Sequence, residues 1–122
     1  MVNALIVDDA EYCRIIVAEA LTAAGHTIVG EAENGAEAVE KYKELRPDVT
    51  IMDITMPVMD GISALKKIME FDSDAKVVIV TTSGQDRIKA EALALGAVKF
   101  VTKDSDYHEL TKIVSNLATD PF

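Results

Sequence analysis

The sequence predicts an α/β fold: a doubly wound, five-stranded parallel sheet flanked by five helices. The first observation is that short apolar runs alternate with amphipathic segments about five times along the 122 residues, an order that favours parallel strands joined by right-handed helical crossovers. The second is that the runs end in polar or charged residues. The third is that 49% of the residues are hydrophobic, which suffices for one core in a chain of single-domain length. We expect one domain over residues 1–122, with no output domain attached.

The individual elements follow from the period of the apolar residues. Short, largely apolar segments predict strands at residues 4–7, 27–32, 49–52, 77–80 and 100–102. Helical spacing predicts helices at residues 11–24, 34–47, from 61 onward, 85–95 and 106–117. Gly25 is suited to follow the first helix in a left-handed conformation. Asn34 with Glu37, and Asp106 with Glu109, resemble the capping pairs that open helices.

The charge balance is acidic, with a formal net charge of −9. Binding of DNA or RNA requires clustered Lys and Arg, so this balance argues against it and suits cations or basic partner surfaces. The chain has no apolar run of 18 residues and no signal-peptide pattern, so we expect no membrane span and a cytoplasmic protein. The single cysteine, Cys13, excludes an internal disulfide and suits a reducing compartment. Its place in the apolar pattern of the first helix predicts a buried, unreactive thiol.

Chemistry-bearing side chains stand at the ends of the predicted strands. The first strand ends at Asp8 and Asp9, the third at Asp53, the fourth at Thr81 and the fifth at Lys103. In a parallel sheet these ends share one edge, where ligands bind. Three neighbouring carboxylates repel one another, and a hard cation such as Mg²⁺ relieves that conflict. With a hydroxyl and an ammonium beside them they form a site for a phosphoryl group, in which Asp53 is the nucleophile and forms an aspartyl-phosphate.

Each feature has an ordinary structural explanation when it is taken alone. An Asp-Asp pair after a strand is usually a loop start or a helix cap. A Thr-Thr-Ser-Gly stretch is usually a turn, and a lysine at a strand end is usually solvated. The interpretation therefore depends on their joint occurrence at the ends of the right strands in the right order.

These residues resemble the receiver domain of bacterial response regulators over essentially the whole chain. The matching motifs are Val7-Asp8-Asp9, Met52-Asp53-Ile54-Thr55-Met56-Pro57 with Gly61, Thr81 and Lys103. The stretches at residues 6–10, 31–35 and 38–45 look most like the stand-alone chemotaxis regulators of the CheY type. The resemblance implies the strand order 2-1-3-4-5.

The resemblance also implies a cofactor and a phosphate donor. Asp53 would accept the phosphoryl group from a sensor histidine kinase, similar to CheA. Asp9, Asp53 and the backbone carbonyl of Thr55 would bind Mg²⁺, for which Mn²⁺ can substitute, and Asp8 would assist through water. Thr81 would contact the phosphoryl oxygens.

The remaining implied roles concern the switch and its output. Lys103 would also contact the phosphoryl group, and Phe100 would be the switch aromatic that turns inward when Thr81 moves toward the phosphate. The output face would comprise the fourth helix, the fifth strand and the fifth helix. Its partner would be a downstream protein such as a flagellar motor switch or a relay protein, and the regulator itself would be a monomer.

The sequence departs from the family pattern after Lys103 and after Thr81. The family usually has a proline after this lysine, preceded by a cis peptide, whereas here Asp104 and Ser105 follow. A cis bond before a non-proline costs about 3 kcal/mol, so we predict a trans or rearranged loop. Thr82 is β-branched where the family prefers alanine or glycine, and we expect it to narrow access to the nucleophile.

Two further positions modify the expected chemistry. Thr55 and Ser83 flank the site and are expected to shape the access of water to it. Phe100 lacks the hydroxyl with which a tyrosine could make a hydrogen bond in the active state.

Other functions are compatible with parts of the pattern. The chain could be an interaction module of the same fold with weak or no productive phosphorylation, a phosphorelay protein or a phosphate sink. A phosphohydrolase with an aspartyl nucleophile would require a second acid two residues later, where this chain has Thr55. No Gly-rich phosphate loop supports nucleotide or flavin binding.

Overall fold

All five predicted strands form in the computed structural model of the chain, which describes residues 2–82, 85–103 and 107–119. For residues 107, 108, 118 and 119 only the backbone is described. The strands are β1 (Asn3–Val7), β2 (Thr27–Ala32), β3 (Val49–Met52), β4 (Val77–Thr81) and β5 (Lys99–Thr102). They pair in parallel in the order β2-β1-β3-β4-β5, so the doubly wound α/β prediction is confirmed.

The five predicted helices also form, with ends within a few residues of the expected positions. They are α1 (Glu11–Ala23), α2 (Gly35–Leu45), α3 (Gly61–Phe71), α4 (Asp86–Ala94) and α5 (Tyr107–Thr119). Gly25 follows α1 with φ of +94°, and the Asn34 side chain accepts a hydrogen bond from the Glu37 amide, as the sequence predicts. The proposed capping residue Asp106 lies outside the described residues.

Two apolar cores cover the two faces of the sheet. Alternate residues of β3 point to opposite faces: Ile51 packs with Leu21 of α1 and Leu110 of α5, whereas Met52 packs against α2 and α3 beside Leu65. All four residues of β3 are buried, which explains why its sequence is largely apolar and does not alternate between apolar and exposed polar residues.

Backbone hydrogen bonds continue past the formal strand ends and fix the residues that follow them. The Asp8 amide donates to the carbonyl of Ala32 at 3.0 Å, and the Asp53 amide donates to the carbonyl of Val7 at 3.0 Å. Because the strands are parallel, these residues emerge at one edge of the sheet.

Among the described residues, every helix is too short or too polar to span a lipid bilayer.

Candidate functional site

The three aspartates predicted from the strand ends come together at the carboxyl edge of the sheet. A carboxylate oxygen from each of Asp8, Asp9 and Asp53 lies within 4.8 Å of the others. Asp8 and Asp53 are buried, whereas Asp9 is exposed. The amide of Ile54 donates to Oδ1 of Asp53 at 2.8 Å, which orients the Asp53 side chain.

The ammonium of Lys103 bridges two of these carboxylates. Its Nζ lies 2.6 Å from Oδ2 of Asp8 and 3.2 Å from Oδ2 of Asp53. The backbone of Lys103 is held as well, because its amide donates to the carbonyl of Thr81 at 2.8 Å. The last residues of β4 and β5 therefore carry the lysine to the end of β3, 50 residues away in sequence.

Burial and charge act in opposite directions on the pKa values of the bridge. Burial raises the pKa of Asp53, and the charge of Asp8 adds to that rise, although the Lys103 ammonium opposes it. Burial alone would lower the pKa of Lys103, but the hydrogen bond to Asp8 and the two negative charges outweigh it and raise that pKa. Lys103 is therefore a permanent cation at neutral pH.

The donor set fits a hard divalent cation. Three carboxyl groups, those of Asp8, Asp9 and Asp53, share the single ammonium of Lys103, which contacts two of them. Oxygen donors of this kind are those that Mg²⁺ prefers, and it commonly retains waters as further ligands. These three residues could hold the cation beside Lys103.

The other predicted site residues occupy the surrounding loops and strand ends. Thr81 is buried as the last residue of β4, and Thr82 next to it is exposed. Phe100 on β5 pairs with Ile79 of β4 and packs against the core on the α2 and α3 face. Thr55 is exposed two residues after Asp53, and the role of its carbonyl stays a prediction.

Three residues of the predictions cannot be compared with the structure. Ser83, Asp104 and Ser105 lie outside the described residues. The expectation of a trans or rearranged loop after Lys103 therefore stays a prediction, as does the effect of Ser83 on water access.

The loop between β3 and α3 is held by two glycines in close contact with backbone. The amide of Gly61 donates to the carbonyl of Ile54 at 2.8 Å, and a Cβ at Gly61 would lie 2.0 Å from the carbonyl oxygen of Asp53. The amide of Gly35 donates to the carbonyl of Met59 at 2.8 Å, and a Cβ at Gly35 would lie 2.5 Å from the carbonyl oxygen of Met59. Both glycines let helix starts approach the loop that follows Asp53.

The structure corrects one expectation and adds one residue. The sequence predicts a buried Cys13, but its side chain is only partly buried, because α1 turns this residue toward the site edge, where Sγ lies 3.7 Å from Nζ of Lys103. Arg14 is buried and donates to the carbonyl of Asp8 at 2.7 Å. Arg14 is not predicted from the sequence, in which the signal for it is a charged residue that interrupts the apolar pattern of α1.

The fold and the aspartate-lysine site together define a receiver domain. The response regulator receiver domain model matches residues 4–115, and the chain belongs to this family. Domains of this family are signalling modules of two-component systems that accept phosphoryl groups, not enzymes in the usual sense.

The chain is similar to proteins from several bacteria. The chain is 50% identical to the chemotaxis protein CheY of Thermotoga maritima over 99 residues, which covers 81% of this chain and 82% of that protein. It is 44% identical to the protein CcdB of Bacillus subtilis over 117 residues, covering 96% and 98%. Among solved structures, a CheY of Borrelia burgdorferi in complex with CheX, BeF3 and Mg²⁺ has a TM-score of 0.92 at 36% identity, covering 97% of this chain and 90% of that one.

Proposed function

We propose that this chain is a phosphoacceptor response regulator in which Asp53 takes a phosphoryl group from a sensor histidine kinase in the presence of Mg²⁺. The observation that carries the proposal is the bridge of Lys103 Nζ to Asp8 and Asp53 at the end of β3. A carboxylate suited to act as the nucleophile, an ammonium group and a cluster of oxygens suited to a divalent cation lie close together there, which supports the proposal. Phosphoryl transfer depends mainly on such positioning and charge stabilisation.

The proposed reaction exchanges one bond to phosphorus for another. A carboxylate oxygen of Asp53 attacks phosphorus as the bond to the donor's histidine nitrogen breaks, and the donor leaves with the electron pair. No base is required, because the nucleophile is ionised at neutral pH. Lys103 would exchange its contact with Asp53 for one with a phosphoryl oxygen, and the Thr81 hydroxyl would donate to another. A bound Mg²⁺ would neutralise charge on the phosphoryl oxygens as it spreads in the transition state.

We propose chemotaxis as the process, with the protein acting as a cytoplasmic monomer. The support is the set of relatives named CheY, which includes those from Thermotoga maritima and Bacillus subtilis. The donor would be a kinase similar to CheA. The target would be a flagellar motor switch or a relay protein that binds the face formed by α4, β5 and α5, where Phe100 would couple that face to Thr81.

A second candidate function is an interaction module that phosphorylates weakly or not at all. The observation in its favour is Thr82, whose exposed β-branched side chain stands next to the buried Thr81. The intact set of aspartates and Lys103 favours the first proposal, because a module that no longer phosphorylates has no need to keep a partly buried cation between two carboxylates.

The proposal is tested by intact-mass measurement after incubation with acetyl phosphate and Mg²⁺. We expect the mass gain of one phosphate, lost on omission of Mg²⁺ and in Asp53→Asn. The matched control is Asp48→Asn, the same chemical change on an exposed carboxylate at the opposite end of β3, which should label like the parent. A parent that binds Mg²⁺ but gains no phosphate would contradict the proposal and favour the interaction module.

A further inference from the structure

Arg14 is a buried cation in α1 that takes no part in the phosphotransfer chemistry proposed above. Only 9% of its side chain is exposed. A buried guanidinium is costly unless its N–H groups are paired, so its partners indicate what its burial achieves.

The guanidinium of Arg14 joins the first aspartate of the site to the end of β2. Its Nη1 donates to the backbone carbonyl of Asp8 at 2.7 Å, and its Nε donates to Oε1 of Glu31 at 2.9 Å. Its Nη2 lies 3.8 Å from Oε1 of Glu33. The side chain therefore spans from α1 across the site edge to β2 and the residue just beyond it.

Arg14 completes a set of contacts that holds Asp8 at every polar atom. The Asp8 amide donates to the carbonyl of Ala32 at 3.0 Å, and Oδ1 accepts from the amide of Ala10 at 2.9 Å. Oδ2 accepts from Lys103, and Arg14 holds the carbonyl. Because a peptide unit is planar, a fixed Asp8 carbonyl also fixes the direction in which Asp9 leaves it.

We propose that Arg14 is a positioning residue for the divalent-cation site, holding the Asp8–Asp9 peptide so that both carboxylates converge on Asp53. The inference rests on the proposed function for the role of the site, but cation binding can be measured without phosphorylation. Within the described residues, Arg14 donates to the Asp8 carbonyl and to Glu31, so we infer that it acts through Asp8 and not on the phosphoryl group.

The direction in which Mg²⁺ affinity changes when Arg14 is replaced distinguishes a positioning role from a purely electrostatic one. If Arg14 acted only through its charge, replacing it with methionine would remove a nearby positive charge and tighten the binding of a cation. If it positions the Asp8–Asp9 peptide, the same substitution weakens binding. Arg14→Lys keeps the charge but loses the rigid fork of donors that reaches Asp8 and Glu31 together, so it should weaken binding as well.

The test is a Mg²⁺ titration followed by the amide resonances of Ala10 and Ile54, which donate to Asp8 and Asp53. We expect Arg14→Met and Arg14→Lys to raise the Mg²⁺ dissociation constant about tenfold, as is usual when a residue that orients a metal ligand is lost. The matched control is Arg46→Met, which makes the same charge change at an exposed arginine paired with Asp72. It should leave the constant unchanged.

The possible outcomes distinguish the positioning role of Arg14 from the proposed function of the site. An unchanged or lowered dissociation constant in a folded Arg14 variant overturns the positioning role. If both Arg14 variants fail to fold, Glu31→Gln provides the test, because it weakens the contact between Arg14 and the half-exposed Glu31 side chain. We expect it to raise the Mg²⁺ dissociation constant by less than the Arg14 variants do. An unchanged dissociation constant in Glu31→Gln overturns the positioning role of Arg14. A parent that binds Mg²⁺ but takes up no phosphate contradicts the proposed function alone, and a parent that binds no Mg²⁺ contradicts both.

Discussion

Gly61→Ala should displace the nucleophile, because α3 begins in direct contact with the backbone of Asp53. The new Cβ would lie 2.0 Å from the Asp53 carbonyl oxygen and 2.9 Å from both its carbonyl carbon and the Cα of Ile54. Ordinary contact begins at 3.4 Å, so the helix start and the strand end must separate by about 1.4 Å, the difference between 3.4 and 2.0 Å. All three atoms are backbone atoms, so no side-chain rotation can relieve the contact.

The expected cost appears in both stability and chemistry. Overpacking of this kind costs about 1–3 kcal/mol, and loss of the 2.8 Å hydrogen bond from Gly61 to Ile54 adds about 1 kcal/mol. A shift of about 1 Å in a reacting group can lower a rate about a hundredfold. We therefore expect Gly61→Ala to unfold at lower temperature and to label with acetyl phosphate about a hundredfold more slowly.

The matched control is Gly25→Ala, which separates lost stability from lost geometry. Gly25 has φ of +94° but nothing within 4 Å of a Cβ, so alanine there costs about 1–2 kcal/mol of backbone strain at the opposite edge of the sheet. We expect Gly25→Ala to be less stable than the parent but to label with acetyl phosphate at the parent rate. If Gly61→Ala unfolds at the same temperature as the parent and labels within twofold of the parent rate, the contact at Gly61 does not displace Asp53 and the prediction is wrong.

Three further predictions concern a buried hydroxyl, a buried histidine and the entrance to the site. Thr50→Val should raise the free energy of unfolding by about 1 kcal/mol, because Oγ1 of Thr50 is buried without a hydrogen-bond partner in the described part of the chain; a lower value in denaturant titration would contradict this. His26 accepts from the amide of Val2 and contacts Ser115, and burial lowers its pKa below 6.5. Its stabilising effect should therefore be complete above pH 6.5 and decline below it as the unfolded chain takes up the proton; an equally steep decline in His26→Gln would argue otherwise. Thr82→Ala should label with acetyl phosphate faster than the parent, and equal rates would remove the proposed steric role of Thr82.

Local sequence was sufficient for the elements and for the strand-end residues of the site. The run at residues 49–52 predicts β3 without error, because four consecutive buried residues followed by Asp53 leave little ambiguity about where the strand ends. The same logic placed Asp8, Thr81 and Lys103 at one edge. Strand order came only from the family resemblance, since neighbours in a parallel sheet leave no local pattern.

The features that were missed depend on tertiary contacts. An arginine within an amphipathic helix ordinarily faces water, and only the approach of Glu31 and the Asp8 carbonyl makes burial of Arg14 favourable. Cys13 followed the apolar period of α1, but the side chain lies at the rim of the site beside Lys103. The helical period alone does not show where the core-facing side of a helix ends and its exposed side begins.

Locating the modified residue tests directly whether Asp53 itself carries the phosphoryl group. Borohydride reduces an acyl phosphate to an alcohol, which would convert a phosphorylated aspartate to homoserine that peptide mass spectrometry can identify. After incubation with acetyl phosphate and Mg²⁺, we expect homoserine at position 53, and none when Mg²⁺ is omitted. Homoserine at Asp8 or Asp9, or at no position in a protein shown to bind Mg²⁺, would contradict it.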